Sequence, residues 1–121
     1  MIEIKFKKLL KELVLEVLPE FISIPFFLYK NNLQKYISEN NDNDLIQIFI
    51  KKVLPYKKRV LQKDDIFFYN IINFLNISEK NKPFINIIIS DLKHLDQENK
   101  DILWKWFNAF IILSEKYIQQ N

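Results

Sequence analysis

The stretch Asp96–Ile118, DQENKDILWKWFNAFIILSEKYI, carries the longest helical pattern in the chain and is too apolar to stand alone, so the remainder must be arranged to cover it. At about 100° per residue, Asp101, Lys105, Asn108, Glu115, Lys116 and Gln119 fall in one narrow polar stripe, interrupted by Ile112. Ile102, Leu103, Trp104, Trp106, Phe107, Ala109, Phe110, Ile111, Leu113, Tyr117 and Ile118 fill an arc of roughly 220°, about twice what a surface helix needs. Such width predicts a helix at the centre of a bundle, or one that also meets another chain. Trp104 and Trp106 point to different sides of it and cannot share one aromatic cage. One side of the group Trp104, Trp106 and Phe110 then fills the core and the other packs on a second helix layer or a partner. Core packing alone is the first reading; core plus an interface, which makes the three the candidate partner-binding residues, is the other.

The segments on either side read as further helices. Ile2 to Leu18 is amphipathic, with Phe6, Leu9, Leu10, Leu13, Val14 and Val17 on one side, and Pro19 ends it. Pro25 suits the first position of a second helix running to about Glu39, with Ser23 or Ile24 at its cap. The cluster from Asn40 to Asp44 is the clearest loop, and Asn43 or Asp44 is placed to cap the helix that begins behind it. From Leu45, the positions Ile46, Phe49, Ile50, Val53, Val60 and Leu61 form a helical face, but an unbroken helix would turn Lys57 into it. A break at Leu54-Pro55 with a restart behind it removes the conflict.

Asp64-Asp65 can cap a helix from Ile66 to Asn76, whose only polar seam is Asn70, Asn73 and Asn76. Its β-branched and aromatic content would also suit a strand, and the spacing of three decides for helix. Pro83 opens another helix through Lys93, which ends at His94-Leu95, and Asp96 caps the last. The expectation is an all-α, irregular bundle of five or six helices in one domain spanning residues 1–121, with the C-terminal helix central.

Composition excludes more chemistry than any motif suggests. The chain has 121 residues with eleven Phe, five Tyr and two Trp, enough large apolar side chains for a packed core. It has no cysteine, so disulfides, thiolate metal sites and a cysteine nucleophile are all absent, in keeping with a reducing compartment. It has no glycine either, and phosphate-cradling loops, dinucleotide-binding turns and nucleophile elbows depend on glycine. Helix C-caps must then turn to asparagine, the next residue in line for left-handed backbone. Charges run through the first eight residues, where a signal peptide would begin its apolar core, and no uncharged run reaches the ~18 residues of a membrane span. An intracellular setting is the expectation.

The candidate sites are few. His94, the only histidine, lies between Asp91 and Asp96 at a helical junction, where a solvated or helix-end role outweighs a catalytic or metal-binding one. Ser90 falls near it by helical spacing but has no evident oxyanion donors. The acidic groups Asp42/Asp44, Asp64/Asp65 and Asp91, Asp96, Glu98 and Asp101 sit at helix starts or in the polar loop, where capping accounts for them. No catalytic residue, metal ligand, cofactor or small-molecule substrate is expected. Lys51, Lys52, Lys57, Lys58, Arg59 and Lys63 put six cations within thirteen residues of a chain whose net charge is +3. Such a segment could contact nucleic-acid phosphates or an anionic membrane, against the simpler reading of a solvated helix face.

Two segments also resemble a known group. Val53-Leu-Pro-Tyr-Lys through Lys63-Asp-Asp-Ile-Phe-Phe68, and Leu95 through Trp104-Lys-Trp106 to Leu113-Ser-Glu-Lys-Tyr117, together about a third of the chain, resemble short helical proteins of nucleocytoplasmic large DNA viruses. Those proteins pair a Pro, Lys-Asp-Glu, Phe-Phe stretch with an Ile-Trp-Lys-Tyr-Leu helix; here Asp65 stands where the acid is often Glu, and Trp106-Phe107 stands for Tyr-Leu. The resemblance implies a viral protein acting in an infected cell or virion, and it carries over no site residue. Two functions are expected: a non-enzymatic module that self-associates or docks a larger protein, or a nucleic-acid-associated protein using Lys51 to Lys63.

Overall fold

The computed structural model describes residues 1–20, 34–35, 37–64, 66–67, 86, 90–91 and 93–120, and every regular element among them is helical. There are four α-helices in that part: α1 (Ile2–Glu12), α2 (Asp42–Lys52), α3 (Lys57–Leu61) and α4 (Gln97–Gln120). The helices expected over Pro25–Glu39, Ile66–Asn76 and Pro83–Lys93 lie largely outside the described residues. Short edges of them are helical: 37–39, 66–67 and 90–91.

The first helix departs from a plain α-helix ending at Leu18. After Glu12 it widens into a π-helical turn, Leu13–Val17, and tightens into a 3₁₀ turn, Leu18–Glu20. The Leu18 amide accordingly reaches back five residues to the Leu13 carbonyl. Pro19 supplies the physical cause, since its ring crowds the carbonyl four residues earlier and it has no N–H to continue the ladder. The wider turn also has a packing consequence. Leu13 is buried, and Val14, Leu15, Val17 and Leu18 all pack on the core, which a regular α-helix could not achieve from one face.

The α2 cap lies two or three residues earlier than the sequence suggested. Asn41, with extended backbone, accepts the Asp44 amide at 2.8 Å through Oδ1, and Asp42 and Asp44 occupy the positive end of the helix dipole. Asn43 is used otherwise, accepting the Tyr117 hydroxyl of α4 at 3.1 Å. Lys7 of α1 donates to the Asn40 carbonyl at 3.0 Å, tying α1 to the entry of α2.

The expected break in the basic segment is present. Val53 caps α2, and Leu54–Tyr56 forms a 3₁₀ turn with Pro55 in its first turn, from which α3 restarts. The end of α3 corrects the expectation of asparagine caps. Lys63 adopts φ 54°, the only positive φ among the described residues, with its amide on Val60 O and the Asp64 amide on Arg59 O. That pair of bonds is a Schellman closure, which normally recruits glycine. Asp64 then caps the next helix, accepting the Ile66 and Phe67 amides.

Two clusters of buried side chains meet along α4. The first joins Phe6, Leu13, Ile37, Leu45 and Ile46 to Leu103, Phe110 and Leu113; the second joins Val53, Val60 and Phe67 to Trp104 and Ile111. Phe6, Phe49 and Phe110 form an aromatic triad across α1, α2 and α4 with centroids 5.1–5.8 Å apart, tilted as ring quadrupoles prefer. Phe49 packs against both clusters and so connects them. Ser114 is fully buried within the α4 core face, and its hydroxyl donates to the Phe110 carbonyl at 2.8 Å, so burial leaves no polar group unpaired there.

Candidate interaction surface on the C-terminal helix

The α4 side chains divide by where they point. Trp104 is 3% exposed in the second cluster, with Phe107 6.1 Å away, while Trp106 is half-buried on the edge of the first, 6.4 Å from Phe110. The two tryptophans thus lie on different sides, as two positions along a helix must. Phe110 is buried as well, at the crossing of three helices. Of the three candidate partner-binding residues, Trp104 and Phe110 belong to the core and Trp106 alone reaches the surface in part.

The basic segment is also divided. Lys57 Nζ donates to Glu115 Oε2 at 2.9 Å and Lys63 Nζ to Asp101 Oδ1 at 3.1 Å, so two of its six cations clamp α3 onto α4. The break at Leu54-Pro55 makes this geometry, because it rotates Lys57 away from the apolar face towards the α4 carboxylates. Hydrogen bonds from Gln97 and then Lys63 hold the Asp101 carboxyl below the ordinary carboxylate range. Arg59 lies over the Tyr56 ring, 5.7 Å from its centroid, a cation–π arrangement. Lys51 and Lys58 remain exposed on the surface and Lys52 partly so.

Elsewhere the expected helix-end roles are visible. Asp96 caps α4 by accepting the Asn99 amide at 2.9 Å, and the exposed His94 ring bonds the Ser90 carbonyl through Nδ1 at 2.7 Å. The Ser90–His94 neighbourhood is therefore a ring-to-backbone contact, and no hydroxyl–imidazole pair is formed by that bond. No group of three or more acidic, histidine or cysteine residues that could hold a metal occurs among the described residues. No helix in that part is long and apolar enough to cross a membrane.

What the sequence pattern did not single out is the outer face of α4. Ile102 is 36% and Ile112 is 52% exposed, with Ala109 partly open between them. Lys105 and Lys116 lie on the same face, and Glu98 extends it by one turn. The positions Glu98, Ile102, Lys105, Ala109, Ile112 and Lys116 are spaced alternately by four and three residues, which keeps them in one line along a helix. That spacing was available in the sequence. It was masked because Ile102 and Ala109 fall within the broad apolar arc, and because Ile112 looked like an isolated interruption of a polar stripe.

Asn108, beside this line and towards α3, has a side-chain oxygen shut off from solvent with no hydrogen-bond partner. Compared with known proteins, the chain matches no family model, no curated protein and no solved structure.

Proposed function

We propose that the chain is a non-enzymatic interaction module that self-associates or docks a larger protein through the outer face of α4, with the segments beyond the described residues completing a bundle of five or six helices around α4. The observation that carries this reading is the pair of exposed isoleucines, Ile102 and Ile112, in line on a helix whose opposite side contributes to both core clusters. Single exposed apolar side chains are ordinary; apolar positions in register along one helix, bordered by charges, are how helices recognise other helices. The resemblance to short helical proteins of nucleocytoplasmic large DNA viruses supports an accessory or structural role in an infected cell or virion.

The test is sedimentation and affinity purification of the wild-type chain beside an Ile102→Lys/Ile112→Lys variant with an unchanged helical circular dichroism spectrum. Loss of self-association, or of a stoichiometric partner, in the variant is the expected result. A wild-type chain that is strictly monomeric and retains no protein that the variant loses would overturn the reading.

Nucleic-acid association is the second reading, carried by the exposed Lys51 and Lys58 with Lys52 and Arg59 beside them. It is weakened by the commitment of Lys57 and Lys63 to Glu115 and Asp101, because a phosphate would have to compete with carboxylates already in place. A low-salt mobility shift abolished by charge reversal at Lys51, Lys52, Lys58 and Arg59 would favour this alternative.

A further inference from the structure

We infer that the occupant of the α4 outer face is α4 of a second copy of this chain, packed antiparallel about a two-fold axis level with Phe107. This rests on the reading of that face as an interaction surface and names its partner.

Self-complementarity argues for it. Reversing a helix and centring it on residue 107 sets Ile102 opposite Ile112 of the other copy, Lys105 opposite Ala109, and Glu98 opposite Lys116, each pair occurring twice by symmetry. Every layer of the seam is then matched. The isoleucines cover each other, the lysine stem crosses the small alanine with its ammonium free to reach solvent, and the end layers pair opposite charges. Glu98 and Lys116 are both exposed and neither makes an ion pair among the described residues.

The parallel alternative fails on the same positions. In register it opposes Glu98 to Glu98, Lys105 to Lys105 and Lys116 to Lys116, three like-charged layers out of six. Antiparallel packing also opposes the two helix dipoles. One helix face of this length makes a small interface, so the association belongs to the weak, concentration-dependent class.

The absence of native cysteine permits a clean test of both partner and direction. Ile102→Cys and Ile112→Cys chains, mixed at high concentration and oxidised or bridged with a short bis-maleimide, should yield the 102–112 heterodimer. Neither variant alone should cross-link, since like positions in the antiparallel pair stand about 15 Å apart along the axis, beyond disulfide reach. Ready cross-linking of Ile102→Cys alone would mean a parallel or different contact and would overturn the inference.

Charge exchange gives a second measurement. Glu98→Lys should weaken self-association roughly tenfold, and adding Lys116→Glu should restore it to within about twofold, which an interface elsewhere would not do. Sedimentation separates the two levels of claim. A strict monomer that still loses a stoichiometric partner on Ile112→Lys substitution would refute the second-copy occupant while leaving α4 as a docking face. A dimer indifferent to Ile112→Lys would refute the second-copy occupant, and one that also retains no protein that the variant loses would refute both.

Discussion

At Lys63 a residue with a full side chain holds the left-handed backbone that closes α3. Left-handed φ costs an L-residue about 1–2 kcal/mol, part of which glycine would recover. The chain has no glycine anywhere, so lysine bears the cost, and its ammonium takes up Asp101 once the turn has placed it there. Substituting Lys63→Gly should raise stability by a net of about 0.5 kcal/mol despite the lost exposed ion pair, whereas Lys63→Val should lower it by about 1–2 kcal/mol. Urea titrations of the two variants would show opposite shifts of the midpoint if the backbone governs the position.

Asp101 adds a pH dependence on the same contact. Its carboxyl is held below its unfolded value, so its contribution is complete above the ordinary carboxylate range and is lost as pH falls through the lowered folded value. The stability gap between the wild type and Asp101→Asn should therefore be flat near neutrality and close on acidification. A gap that widened in acid would contradict the Gln97 and Lys63 hydrogen bonds as its source.

At the scale of the elements, the existence of the helices among the described residues was legible and their ends were less so. Asp64 and Asp96 cap the helices that come after them, as an acid before an apolar run suggests. The Asn40 to Asp44 cluster offered several equivalent caps; Asn41 takes the role, and Asn43, inside the first turn, accepts the Tyr117 hydroxyl instead. Asn41→Ala should then cost about 1 kcal/mol and Asn43→Ala less than about 0.5 kcal/mol, measured by thermal or chemical unfolding. The π-helical turn at Leu13–Val17 was likewise hidden. Pro19 announces an ending, but whether a helix stops or widens before a proline depends on how much core surface awaits Leu15 and Leu18, and that is set by α2 and α4.

For the whole molecule, the division of α4 between two clusters predicts unequal tryptophans. In the Trp106→Phe variant the remaining Trp104 should fluoresce at short wavelength and resist iodide; in Trp104→Phe the remaining Trp106 should be red-shifted and more readily quenched. Equal quenching of the two would contradict this placement. Phe110→Ala, which removes a member of the aromatic triad joining three helices, should cost about 3–5 kcal/mol, a large part of the stability of an ordinary domain. Its calorimetric transition should fall well below that of an Ile112→Ala control on the outer face.

Composition and periodicity determined by themselves that the described part of this chain builds helices, that α4 carries a broad apolar arc, and that glycine- and cysteine-dependent chemistry is closed to the chain. Those are local or additive properties, readable from residue type and spacing. Which cations of the basic segment stay outside, which tryptophan is enclosed, and which narrow line of α4 is left open were decided only in the tertiary structure. The apolar arc was wider than any one neighbour could cover, and among the described residues its open edge is what the packing of α1, α2 and α3 leaves. A helix periodicity carries no record of that competition, because it depends on how distant segments dock and not on the helix itself.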